Sequence, residues 1–248
     1  MDRRIIGIIP ARGGSKSLPR KNLQELLGVP LIAFSIQSAL ESKFIDSVYV
    51  SSDDPEILDI SNRFGARIIQ RPEEISGDLS RDNELLEHAI ESEFPNLDES
   101  SLIAFLRPSH PLRNPQTLDR AIEIYQNSTG FDSLRSMKET SEIPFKMWMI
   151  DENGLAIKVT DNQKINVSDP TNAPRQLLPK TYYQDGYIEV FPFKTVKTFQ
   201  NTAGTTVLPF IIDEFSHDID TVGDLNIINE RLDKFSRPSW LKIPVIQK

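Results

Sequence analysis

Arg12, Lys16, Arg20 and Lys21 fall within one ten-residue stretch, with Gly13, Gly14 and Ser15 among them. Glycine lets backbone N–H groups come close to an anion, and clustered Arg and Lys neutralise its charge. A planar guanidinium fork beside ammonium point charges suits a triphosphate, so this loop is expected to be a nucleoside triphosphate site. It is neither a Walker A loop, for which the G-x-x-x-x-G-K-[ST] spacing is missing, nor a G-x-G-x-x-G dinucleotide fingerprint. A second chemical signal comes late, in Ser216-His217-Asp218-Ile219-Asp220-Thr221. Carboxylates at i and i+2 of an extended segment project to one side, and hard oxygens suit Mg²⁺. Spacing alone leaves a second reading open, in which Asp220 or Thr221 caps a following helix. For Asp53 and Asp54, just before Pro55, helix capping is favoured over metal binding. His88 and His110 read as surface or packing residues.

Elements must carry these groups. Ile5 to Ile9 is a nearly unbroken apolar run, the pattern of a strand buried on both faces, and it leads directly into the cationic loop. A helix is expected from Pro30 to about Ser42, with Leu31, Phe34, Ile36, Ala39 and Leu40 as its apolar stripe. A strand follows at Val48–Val50, then a helix from Pro55 closed by Gly65, and a strand at 67–69. Ser80 reads as the N-cap of a helix to about Phe94. Leu102–Leu106 is a further buried strand, Pro115 opens a helix to about Asn127, and residues 131–136 form a strand. Strands are expected again at 184–190 and 205–212, and a helix from about Val222 to Phe235. Such alternation predicts an α/β fold with a Rossmann-like, mostly parallel sheet flanked by helices. Residues 138–183 break the pattern and read as an inserted, hairpin-rich arm between core segments 1–137 and 184–248. Its aromatics Phe145, Trp148, Tyr182 and Tyr183 would need a partner surface.

Bulk composition bounds the function. The chain has 248 residues, a net charge of −8 and no cysteine. The acidic balance argues against broad nucleic-acid binding, and the missing cysteines exclude disulfides and thiol chemistry. The apolar run behind Met1-Asp2-Arg3-Arg4 stops at Pro10, too short for a signal peptide, and no span reaches transmembrane length. A cytoplasmic protein without membrane partners is expected.

Ala11-Arg12-Gly13-Gly14-Ser15-Lys16, followed by Pro19-Arg20-Lys21-Asn22, resembles the signature of the CMP-sialic acid synthetases, the N-acylneuraminate cytidylyltransferases. Later segments extend the likeness over most of the chain. The resemblance implies a fold of the nucleotide-diphospho-sugar transferase type and a homodimer joined by the arm. It implies transfer from CTP to a nonulosonic acid with Mg²⁺, for surface glycans such as lipopolysaccharide. Arg12, Gly13, Gly14, Ser15, Lys21 and Asn22 would meet the nucleotide, with Arg12, Lys21 and Asp220 acting in catalysis. Arg71, Ser80 and Asp82 fall where the family contacts the cytidine. Arg107 stands where many members carry a sugar-touching glutamine. Lys146 matches the P-F-K lysine near the sugar carboxylate, and Arg175 the R-Q arginine. Tyr187 is expected to alter the wall beside the sugar. Together with Arg107 it makes a relative such as legionaminic acid a realistic substrate. Asp218 and Asp220 match the family's D-x-D, which turns the even choice above towards metal. The competing expectations are an enzyme for another sugar acid of the Kdo type and a catalytically silent nucleotide-binding subunit. The absence of R-G-G-S-K from the Kdo enzymes counts against the first, and intact Lys21, Asp218 and Asp220 against the second.

Overall fold

A computed structural model describes residues 4–160, 165–234 and 239–241. Met1, Asp2, Arg3 and Phe235, on which the readings of both termini partly rest, lie outside the described residues, as do 161–164 of the arm. The chain divides into two units, residues 1–136 with 185–248, and residues 137–184.

The larger unit opens with strand β1 (Ile5–Pro10), a short hairpin of β2 (Glu25–Leu26) and β3 (Val29–Pro30), and helix α1 (Leu31–Leu40). Next come β4 (Ser47–Ser52), α2 (Pro55–Arg63), β5 (Arg67–Gln70), α3 (Asp82–Glu93), β6 (Leu102–Phe105) and α4 (Pro115–Gln126). Strand β7 (Ser133–Glu139) leads into the smaller unit, which holds the hairpin of β8 (Trp148–Ile150) and β9 (Ala156–Lys158). Strand β10 (Tyr182–Pro192) returns to the larger unit, followed by α5 (Phe193–Phe199), β11 (Val207–Ile211) and α6 (Val222–Lys234).

Seven strands form one sheet in the order β11-β7-β10-β6-β1-β4-β5. β1 pairs in parallel with β4 and β6, β4 with β5 also in parallel, while β10 runs antiparallel to β6. The reason for β1's composition is now visible. Ile5 and Ile9 join the core that contains α1, α4 and α6 residues, whereas Ile6 and Ile8 join the core that contains α3 and α5 residues. A strand covered on both faces has no polar side to display. The expected mostly parallel α/β sheet is therefore the observed one.

Local differences have local causes. Helix α1 is buried nearly all round, Ser35 and Ser38 included, so its sequence stripe understates its burial. Asp54 caps α2, its carboxylate accepting the N–H groups of Glu56 and Ile57, as the capping reading requires. At α3 the cap position falls to Arg81 rather than Ser80, which corrects the sequence reading by one residue. The Glu84 carboxylate reaches back to accept the Arg81 N–H at 2.8 Å, and this fixes the boundary. Helix α5 has no counterpart among the expected elements. At the chain's end, Trp240 and Leu241 pack against the main core.

Candidate nucleotide site

In the sheet order, β1 lies between β4, which follows it after α1, and β6, which the chain reaches only after crossing back. That reversal is a topological switch point, where sheets of this class leave a crevice beyond the strands' carboxyl ends. A cavity of about 310 Å³ opens there, walled by Arg12, Ser15, Lys21, Asn22, Arg71, Ser80, Asp82 and Arg107 among others.

The loop after β1 is braced from α2's N-terminal turn. The Gly13 N–H donates to Asp53 Oδ1 at 3.0 Å. A Cβ on Gly13 would stand 2.9 Å from the Asp54 side chain, so this position needs glycine. Nothing lies within 4 Å of a Cβ placed on Gly14. Arg20, in a left-handed conformation at φ 52°, turns to Asp54 at 3.1 Å and Glu56 at 2.8 Å. The other three cations of the loop also have partners. Buried Asn22 donates its side-chain amide to the Arg12 carbonyl at 2.9 Å and so fixes the backbone beneath Arg12. Arg12 Nη1 donates to the Gly77 carbonyl at 2.8 Å and meets Asp78 Oδ1 at 3.2 Å, while Lys16 pairs with the other Asp78 oxygen.

Lys21 Nζ contacts Asp220 Oδ1 at 2.8 Å. The acid segment is carried there by Ile219, whose side chain is fully buried and whose N–H donates to the Ser109 carbonyl at 2.9 Å. Burial of Ile219 leaves both flanking aspartates on the exposed side, as alternation requires. Helix α6 is capped by a reciprocal pair, Thr221 Oγ1 with the Asp224 N–H and the Asp224 carboxylate with the Thr221 N–H at 2.7 Å. The Thr221 hydroxyl, first among its hydrogen bonds, holds the Asp224 carboxyl down at about 2. Asp218 and Asp220 are thus relieved of capping the helix. Among the described residues no cluster of three or more acid or histidine ligands has metal-holding geometry. Asp220 beside Lys21, with Asp218 two residues before it, still fits Mg²⁺, which takes one or two carboxylates and completes its shell with phosphate oxygens and water.

On the opposite wall, Arg71 is buried. Its Nε donates to Ser51 Oγ at 3.1 Å, and its Nη2 to the Ser51 carbonyl. Burial lowers the guanidinium's pKa, and Asp53 and Asp82 oppose that. Arg107 is held between Asp82 at 2.6 Å and the fully buried Glu189 at 3.2 Å, and Glu189 is shared with Arg135 at 2.7 Å. Burial works against the charge on Arg107, but Glu189 and Asp82 outweigh it and keep the pKa above its ordinary value.

Tyr187 requires a correction. It is only 1% exposed, and its hydroxyl is closed between the Asn114 N–H at 2.7 Å and Glu214 at 2.8 Å. It is a core residue and cannot form a wall beside a ligand. Arg113, which sequence reasoning passed over, organises the same region while fully buried. It donates to the carbonyls of Tyr187 and Arg107 and to Ser35 Oγ. His110 is buried beside it, its Nε2 at 2.6 Å from the Asp185 carbonyl, which makes Nε2 the protonated nitrogen. Burial, then the Arg113 charge, pushes its pKa down to about 4, so it is a neutral structural residue.

Within the smaller unit, Lys146 Nζ donates to the Ala173 carbonyl at 2.7 Å, and Arg175 to the Ser141 carbonyl at 2.8 Å. The expected residues that line the cavity all belong to the larger unit, and Gly13, Gly14, Asp218 and Asp220 are not among them. Asp78 and Ser109 line it as well and carry no local sequence signature.

Fold and site together define an α/β protein with a cation-lined crevice at the switch point of its sheet. A family profile described as Cytidylyltransferase matches residues 6–199. The chain is 31% identical over 229 residues to a pseudaminic acid cytidylyltransferase of Campylobacter jejuni, covering 88% of this chain and 91% of the relative. It is 30% identical over 221 residues to a CMP-N,N'-diacetyllegionaminic acid synthase of Legionella pneumophila, covering 88% and 90%. A solved CMP:2-keto-3-deoxy-manno-octonic acid synthetase complexed with CTP superposes with a TM-score of 0.67 at 16% identity, covering 93% of this chain and 99% of that one, and shows the shared fold. The chain belongs to the cytidylyltransferase family, of the CMP-sialic acid synthetase type that its opening loop resembles. It is a nucleotidyltransferase.

Proposed function

We propose that this chain transfers the cytidylyl group of CTP to the anomeric hydroxyl of a nonulosonic acid, releasing pyrophosphate. The observation that carries the reading is the contact between Lys21, which lines the cavity, and Asp220, which joins the cationic loop to the acid segment. The names of the Campylobacter and Legionella relatives support a sugar acid of the nonulosonic class.

The attacking oxygen belongs to the sugar, so the protein need supply only positioning and charge neutralisation. Arg12, Ser15 and Lys21 hold the phosphates, and Gly14 offers open backbone to them. Gly13, its N–H given to Asp53, serves by close packing, and Asn22 by fixing Arg12. Arg71, Ser80 and Asp82 meet the cytidine end, with Arg107 holding Asp82 in place. Asp218 and Asp220 would hold Mg²⁺, which supplies charge neutralisation on the phosphates and a lower pKa for the attacking hydroxyl. Lys21, paired with Asp220 in this structure, exchanges that carboxylate for a phosphate oxygen. Lys146 and Arg175 of the arm are assigned to the sugar acid.

The working form is proposed to be a homodimer. Trp148, Met149 and Ile150 of the β8–β9 hairpin are exposed, with Leu155 and Ile157, and a lone two-stranded hairpin is marginal in water. A second copy of the chain would cover that surface. The reaction is assigned to the cytoplasm and to surface-glycan synthesis, including lipopolysaccharide. No helix among the described residues is long and apolar enough to cross a membrane.

Pyrophosphate release from CTP, with Mg²⁺ and a panel of nonulosonic acids, tests the reading. Turnover with pseudaminic, legionaminic or N-acylneuraminic acid is expected. Turnover with Kdo alone, or with none of the acids, would overturn it.

A further inference from the structure

The Asp78 carboxylate spans two cations of the loop after β1. One oxygen lies 3.2 Å from Arg12 Nη1 and the other pairs with Lys16 Nζ. Two oxygens on one centre, split between a guanidinium and an ammonium, reproduce the pattern of a bound phosphate. The carboxylate is ionised across the working range, since the Lys16 hydrogen bond holds its pKa below the ordinary value. Asp78 lies on the connection between β5 and α3, beside Gly77, whose carbonyl takes the other Arg12 contact at 2.8 Å. The next residue, Leu79, is 95% exposed, so the connection can swing without exposing core.

We infer that Asp78 is a specificity-determining residue: a resident anion that occupies Arg12 and Lys16 until a polyphosphate displaces it. The inference rests on the proposed cytidylyltransferase reading and adds a consequence for both ends of the reaction. A nucleotide must bring enough phosphate charge to replace the carboxylate, so cytidine and weakly charged ligands gain little from these cations. After transfer, the returning carboxylate competes with pyrophosphate and hastens its departure. No covalent step is involved.

Asp78→Asn keeps the shape and removes the charge. Calorimetric titration with inorganic pyrophosphate and with CTP should show the variant binding each about three- to ten-fold tighter than wild type, the range expected for two partly exposed ion pairs. Cytidine should bind both proteins equally, and the gain should shrink at high salt. Pyrophosphate should inhibit the variant's turnover more strongly by a similar factor. Asp78→Ser, without the amide, should behave alike. Pyrophosphate binding that is unchanged or weaker in both variants, or absent from wild type, would overturn the inference. Tighter pyrophosphate binding without turnover on any sugar acid would leave the resident anion standing and remove the cytidylyltransferase reading instead.

Discussion

Lys21 and Asp220 are 199 positions apart in sequence, yet the Lys21 ammonium lies 2.8 Å from the Asp220 carboxylate. The contact depends on two anchors. Asn22 fixes the loop after β1 through the Arg12 carbonyl, and Ile219 pins the acid segment to Ser109 with its own buried side chain. Cations brought by the first strand and acids brought by the last third thus meet at one end of the sheet.

The two glycines of the loop should respond differently. Gly13→Ala places a methyl 2.9 Å from Asp54, the residue that caps α2 and holds Arg20. A loss of about 1–3 kcal/mol in stability is expected, together with weaker CTP binding. Gly14→Ala meets nothing within 4 Å and should leave the melting temperature close to wild type. Thermal melts of the two variants side by side check this, and equal losses would contradict it.

Arg107→Ala takes a guanidinium away from both Asp82 and the fully buried Glu189, which Arg135 also meets. A destabilisation of about 2–3 kcal/mol is expected in urea unfolding. Arg107→Gln keeps a donor and should recover part of it. If Arg107 served only the sugar, neither variant would change stability.

Much of this arrangement could be read in advance. The unbroken apolar run of β1, the cationic loop and the i, i+2 acids are local patterns, and local patterns survive folding. The cap at Asp54 was equally legible, because its donors are its own next neighbours. Tyr187 was misplaced because whether a strand residue faces core or cavity depends on which layer covers that face, a non-local fact. The seven residues of α5 directly continue β10 and are too few for a helical period to declare itself. Asp78 was invisible for a similar reason: nothing around it marks a partner more than sixty positions away.

Stability should depend on pH through His110. Its ordinary value of 6.5 falls to about 4 in the fold, because burial and then the Arg113 charge outweigh the carboxylates of Asp218 and Asp185. Between those values the unfolded chain takes up a proton that the native residue refuses, so stability rises with pH across the window. Above about 6.5 this contribution is constant. Chemical unfolding without metal at pH 8 and pH 5 should differ by about 2 kcal/mol. His110→Asn should flatten that part of the profile, and an unchanged profile would contradict the assignment.

The most direct measurement is a double-mutant cycle on turnover with CTP and Mg²⁺, using Lys21→Ala, Asp220→Ala and the pair. Each single variant should stay folded and lose about 100-fold or more in kcat/KM. The double variant should lose far less than the product of the two, because both side chains serve one bound triphosphate. Full activity in either single variant, or losses that simply multiply, would contradict the claim that the two residues share a site.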